Sequence, residues 1–202
     1  DRAIALTPDY AAAHLDRAAA LMGMMRCEAV IAGVDRALAL KSDLPGAWQL
    51  RANALYAAGR LEEALQSYDR AIALQPGDAK AHHNRGSALL MLGRYESAAA
   101  SYDRAIALAP DLTSSRGERL HARMHSADWR DFAPELARLT ARIEQDQVAA
   151  NPFVVLSLCG SAALQRQAAQ SWVRERFPPS GALPALPAPD AHGKVRIGYF
   201  SA

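Results

Sequence analysis

Asp-Arg-Ala recurs at residues 1, 35, 69 and 103, a spacing of 34 residues with no insertion. The match runs well past three letters: DRAIALTPD, DRALALKSD, DRAIALQPG and DRAIALAPD begin at those positions. A fixed period of this length marks stacked helical hairpins, each too small to bury both of its faces alone. Stacks of this kind present long binding surfaces to other chains. Catalytic machinery is therefore to be sought outside the period.

The period predicts an all-α helical-hairpin solenoid with full units at 11–44, 45–78 and 79–112, and residues 1–10 as the end of a preceding unit. Each unit reads as a first helix, a tight turn, a second helix and a loop. In the third unit the first helix covers 79–92 and Gly93 ends it by tolerating a left-handed backbone. The second helix covers 95–108, and Pro110, lacking an N–H, blocks its continuation. Gly59 and Pro76 repeat this in the second unit. The first unit is less regular, with Met25 at the turn and Ser42 at the proline position. Small residues recur where helices must approach closely: Ala37, Ala71 and Ala105 at one position, Val30, Ala64 and Ala98 at another. Larger ones recur opposite them: Val34, Tyr68 and Tyr102, and Leu21, Leu55 and Leu89.

After Asp111 the period fades, and 113–177 is read as a degenerate repeat followed by adapter helices. SSRGERLHARMHSADW (114–129) gives a last first helix. DFAPELARLTARIEQDQ (131–147) gives a second, with Asp131 as its cap and Pro134 in its first turn. FVVLSL (153–158) is too short for its periodicity to separate helix from strand. SAALQRQAAQSWVRERF (161–177) reads as helix. A Pro-rich connector follows at 178–193. KVRIGYF then begins 194–202, the first strand of a truncated α/β lobe. The chain starts without Met and stops just after this strand, so it is expected to be an internal piece of a longer protein.

Composition limits the partners. Half of the 202 residues are apolar, enough for a substantial core. Net charge is +2 with the basic residues scattered, which argues against a nucleic-acid partner. The longest apolar stretches, such as 88–92 and 153–159, are too short to span a bilayer, so no membrane partner is expected. Cys27 and Cys159 stand far apart and outside any metal-ligand spacing, which fits thiols in a reducing compartment.

Trp48, Leu55, Gly59, Ala64, Tyr68, Ala71 and Pro76 in the second unit, and Gly86, Leu89, Gly93, Ala98, Tyr102, Ala105 and Pro110 in the third, resemble the tetratricopeptide repeat family. The resemblance covers 1–112. The family usually has Leu where Arg17, Arg51 and Arg85 stand. An Asp recurs with them at 35, 69 and 103, which predicts a repeating Arg–Asp pair between helices. The alternative is that the Arg stems only cover apolar surface while their heads stay solvated.

A second resemblance comes from order along the chain. Repeats, then RLHARMHSADWRDF (119–132), NPFVVLSL (151–158), a helix, a Pro-rich connector and KVRIGYFSA (194–202) are similar to bacterial relatives of protein O-GlcNAc transferase, a family that includes Spindly-like fucosyltransferases. The resemblance implies a parent glycosyltransferase that moves sugar from a nucleotide donor, commonly UDP-N-acetylglucosamine, to Ser or Thr of acceptor proteins in the bacterial cytoplasm. The family's catalytic histidine follows the GYFSA-like strand, and its nucleotide site lies mainly in a second lobe. This chain alone is therefore expected to be non-catalytic, with no catalytic, cofactor or metal residue, and the UDP-sugar donor belongs to the parent. The alternative is a non-enzymatic scaffold that assembles protein complexes. The residues after Ala202 separate the two.

Within the chain there is no Gly-rich phosphate loop and no zinc-ligand spacing. His121 and His125, four apart, share a helix face but lack a third ligand, and read as surface or interface residues. His14 and His82 occupy the Trp48 position and read as packing residues. Glu62 and Glu63 are adjacent and diverge on their helix. In the O-GlcNAc transferase family, asparagines along the concave face grip the peptide backbone, a role an amide fills by being donor and acceptor at once. Asn84 stands at that position, where the neighbouring units have Asp16 and Leu50. Asn53 lies one turn further along its own helix, and Gln49, His83 and Lys80 are its expected groove neighbours. The expected occupants are acceptor proteins or peptides. The competing reading has Asn84 and Asn53 merely capping or solvating their helices.

Overall fold

The left-handed residues that end each first helix recur at the period of the sequence motif. They are Met25 (φ 55°), Gly59 (76°), Gly93 (71°) and Ala127 (55°). At each, the next residue's N–H closes on the carbonyl five back: Arg26 on Leu21, Arg60 on Leu55, Arg94 on Leu89 and Asp128 on Arg123. This bond satisfies a carbonyl that the helix end leaves unpaired. Met25 and Ala127 hold the same geometry without glycine, at a cost of about 1 kcal/mol each. The turn is thus imposed by the stack, and the period persists to residue 127, beyond the point where the sequence loses its markers.

The structure, a computed structural model, describes residues 9–112 and 114–177, and all regular structure among them is α-helical. The helices are α1 (Ala11–Gly23), α2 (Cys27–Leu40), α3 (Pro45–Ala57), α4 (Leu61–Leu74), α5 (Ala79–Met91), α6 (Tyr95–Leu108), α7 (Ser114–His125), α8 (Phe132–Glu144), α9 (Pro152–Leu158) and α10 (Ala162–Arg176). Each helix from α1 to α7 packs on the next. The all-α solenoid expected from the period is the observed fold. The expectations for 1–8, for the connector at 178–193 and for the strand in 194–202 lie outside the described residues.

The buried layer follows the small-and-large pattern. Ala37, Ala64, Ala98 and Ala105 are fully buried and let the backbones approach. Tyr68 and Tyr102 fill the space beside them, at 1% and 0% exposure. Tyr102 lies against Gly86 so closely that a Cβ there would come within 2.8 Å of the ring.

Polar bonds also recur by unit. Arg51 Nε donates to Asp35 Oδ1 at 2.7 Å and its Nη1 donates to Ser67 Oγ at 2.8 Å. Arg85 does the same with Asp69 and Ser101, both at 2.7 Å. Asp103 pairs with Arg119, which also reaches Glu135 on α8 at 2.6 Å. Each Arg ties its first helix to the second helix before and after it, so the Arg–Asp series is present and extends one unit further than the sequence suggested. Trp48 Nε1 donates to the Ser42 carbonyl at 2.9 Å, and His82 Nε2 lies 3.1 Å from the Pro76 carbonyl. This position therefore fastens the loop as well as packing.

The fourth hairpin departs in its turn. Helix α8 starts at Phe132, five residues past the left-handed Ala127, whereas α6 starts two past Gly93. Asp128 stabilises the added residues by binding the Arg130 side chain at 2.8 Å. Asp131 precedes α8 but is itself left-handed (φ 56°) and makes no side-chain cap bond. The expected Asp131 cap is therefore absent, because a cap residue needs an extended backbone to aim its carboxylate at the helix N–H groups.

The run 153–158 is helical, started by the Asn151 side chain, which accepts from Phe153 N at 3.0 Å. It belongs to a second apolar cluster made by Leu120, Leu139, Ile143, Ala150, Val155 and Ala168. Helix α7 joins the two cores: Ala122 packs into the repeat core and Leu120 into this one. Gly117 allows the junction, since a Cβ there would stand 2.3 Å from the Ala150 methyl.

Candidate binding groove

The period that builds the stack also repeats one polar face of each first helix, and these faces meet in a single space. A cavity of about 640 Å³ runs along α3, α5 and α7 and is walled by α9 and α10. Asn53, Ser87 and His121 line it from one repeat position, 34 residues apart. Asn84 and Glu118 line it from another, and Met22, Tyr56 and Leu90 from a third. Positions three or four apart share a helix face, which is why these three series run side by side.

The two candidate asparagines meet directly. Asn84 Nδ2 donates to Asn53 Oδ1 at 3.1 Å, and the Tyr68 hydroxyl donates to the same oxygen at 2.7 Å. Asn53 is thereby held by both neighbours, and neither asparagine caps a helix. Beside them the Tyr102 hydroxyl donates to Ser87 Oγ at 3.2 Å. Burial pushes both the Tyr68 and Tyr102 hydroxyls well above the usual phenol range, so they stay protonated donors.

His83 lines the cavity as well but is engaged, its Nδ1 lying 2.9 Å from Ser115 Oγ on α7. Burial lowers its affinity for a proton. Gln49 and Lys80 are not part of the lining. Lys80 stands exposed in the first turn of α5, where its backbone N–H is capped by Asp78. The cavity begins one turn further along α3 and α5, where α9 and α10 come opposite.

Several lining residues escape a reading based on asparagine alone. Ser87 and His121 follow by adding one and two periods to Asn53, and Glu118 follows by adding one to Asn84. Burial pushes the Glu118 carboxyl up to about 7. Across the cavity Trp172 and Arg176 come from α10, with the Arg176 guanidinium 5.7 Å from the Trp172 ring centroid. No spacing signal points to these two.

His121 and His125 approach to 3.1 Å between their Nε2 atoms, and His125 stacks on Tyr95. Burial first, and then the neighbouring His125, lower the His121 proton affinity. Among the described residues no group of three or more His, Cys, Asp or Glu is placed to hold a metal. No helix among them is long and apolar enough to cross a membrane.

Residues 50–113 match the tetratricopeptide repeat family. No curated protein matches the chain. Among solved structures, YrrB, described as a TPR protein with an unusual peptide-binding site, is similar with a TM-score of 0.65 and 17% identity, over 84% of this chain and 90% of that one. The first TPR of Spaghetti bound to an HSP90 peptide has a TM-score of 0.57 and 20% identity, over 58% of this chain and 93% of that one. A mutant O-GlcNAc transferase of Thermobaculum terrenum has a TM-score of 0.53 and 26% identity, over 56% of this chain and 22% of that one. The chain carries a tetratricopeptide repeat region, matched over 50–113 and extended on both sides by turns of the same 34-residue spacing.

Proposed function

We propose that the cavity along α3, α5 and α7 holds an extended segment of a partner protein. The observation that carries this is the Asn84–Asn53 contact inside a cavity lined at one period by amides, hydroxyls and imidazole. After that bond each amide keeps unused donor or acceptor capacity facing the space, which suits a peptide main chain in any sequence. Two proteins sharing the fold, YrrB and Spaghetti, are described as peptide binders. The test is selection of random peptides on the chain, followed by loss of binding in Asn53→Ala and Asn84→Ala.

The complete protein on this reading is a protein glycosyltransferase, with a UDP-sugar as donor, and the repeats bring acceptor proteins to it. Two observations support this: the sequence order over 113–202 and the likeness to the Thermobaculum terrenum enzyme, of which this chain covers 22%. Incubating the full gene product with UDP-N-acetylglucosamine and a selected client tests it, sugar on Ser or Thr of the client being the expected result. A second reading, a scaffold without enzymatic activity, is favoured by the coverage of YrrB, 90% of whose chain is spanned. A full gene product that binds clients and transfers no sugar selects it.

A further inference from the structure

The lining changes character along the groove. At the repeat position of Asn84 the next unit has Glu118, so the neutral amide gives way to a carboxylate in the part of the cavity that α9 and α10 also line. Glu118 makes no hydrogen bond or ion pair among the described residues, although arginines surround it in sequence. Arg119 is drawn away to Asp103 and Glu135. Arg123 pairs with Asp103 and Asp128. Arg176, the one arginine lining the same cavity, lies over the Trp172 ring. The Glu118 charge adds to burial in keeping the Tyr56 and Tyr102 hydroxyls protonated.

A carboxylate taken largely out of water without a partner is costly, and the cost is recovered when a cation with donors of its own enters. The strain shows in the carboxyl itself, which burial holds near 7.

Resting on the groove reading above, we infer that Glu118 takes the Lys or Arg side chain of the bound segment, so that the groove selects clients with a basic residue at one fixed place. The amides at Asn53 and Asn84 hold the main chain without regard to sequence, and Glu118 supplies the sequence preference. Ser87 and His121 line the same cavity.

The experiment is peptide display of a random decamer library on the full chain and on Glu118→Gln, with Asn53→Ala/Asn84→Ala as the groove control. Glutamine keeps the shape and loses the charge, and no bond inside the fold is removed with it. The expected result is Lys or Arg enriched at a single position with the wild-type chain and not with Glu118→Gln. The best selected peptide is then titrated against its norleucine version. Affinity is expected to fall about tenfold on the wild-type chain and less than about twofold on Glu118→Gln. Peptides that depend on Asn53 and Asn84 but show no basic preference, or the same preference with Glu118→Gln, overturn this inference and leave the groove reading standing. No selected peptides, or peptides indifferent to the asparagine variant, overturn both.

Discussion

Arg85 Nε donates to Asp69 Oδ1 at 2.7 Å, from the first helix of one hairpin to the second helix of the hairpin before it. The same atom pair joins Arg51 to Asp35 at the same distance, 34 residues earlier. One unit later Arg119 repeats the reach to Asp103 and adds Glu135. The series ties each hairpin to its neighbour through a charged contact at one repeat position.

The members of this series differ in burial, and their contributions should differ accordingly. Arg85 and Asp69 are 31% and 57% exposed, so Arg85→Leu is expected to cost no more than about 1 kcal/mol. Arg119 and Glu135 are each 12% exposed. Arg119→Leu leaves Asp103 with Arg123 at 3.3 Å and Glu135 with the exposed Arg138, and is expected to cost more than Arg85→Leu, about 2 kcal/mol. Urea unfolding of both variants checks this. Equal losses would mean that burial does not set the strength of the series.

Two glycines in helices should respond in opposite directions to alanine. At Gly46 a Cβ meets nothing within 4 Å, so Gly46→Ala should gain up to about 1 kcal/mol from helix propensity. At Gly86 the Cβ would be pressed into the buried Tyr102 ring. Gly86→Ala is therefore expected to lose about 1 to 3 kcal/mol despite the same propensity gain. Thermal unfolding measures both, and a stabilised Gly86→Ala would show that Tyr102 can move.

Glu118 makes stability depend on pH with a defined sign. Burial raises its carboxyl from 4.5 to about 7, so the folded state binds the proton more tightly than the unfolded state. Its contribution is fully present below the unfolded value and is lost as pH rises through the folded one. Glu118→Gln should therefore match the wild type near pH ~4 and exceed it near pH ~8 by about 2 to 3 kcal/mol. His83 and His121 titrate in both proteins and cancel in the difference. A difference independent of pH would mean that Glu118 is solvated.

Much of this was legible before any coordinates. The 34-residue period located the hairpins, and Gly59, Gly93, Pro76 and Pro110 marked their ends. The fourth hairpin was harder to see because Ala127 stands where glycine would announce the turn, and counting the period finds it where residue type does not. Asn53 and Asn84 could be named singly, but their contact depends on the rotation between units, which no spacing encodes. Glu118, Ser87 and His121 were reachable by adding the period to those asparagines. The wall formed by α9 and α10 was not, since it depends on Gly117 admitting Ala150, a contact with no counterpart in the other units. The seven residues of α9 are too few for periodicity to declare a helix.

This chain by itself is expected not to bind UDP. Calorimetry with UDP should show no heat of association in the micromolar range. Micromolar binding would place a nucleotide site among the repeats and reverse the division of labour proposed for the complete protein.

The most direct measurement of the groove is calorimetric titration of one display-selected peptide against the wild-type chain and Asn84→Leu, which installs the residue found at position 50. Affinity is predicted to fall about tenfold or more, because main-chain groups of the peptide lose their amide partner in the groove. Unchanged affinity, with the variant folded as judged by its circular dichroism, would contradict it.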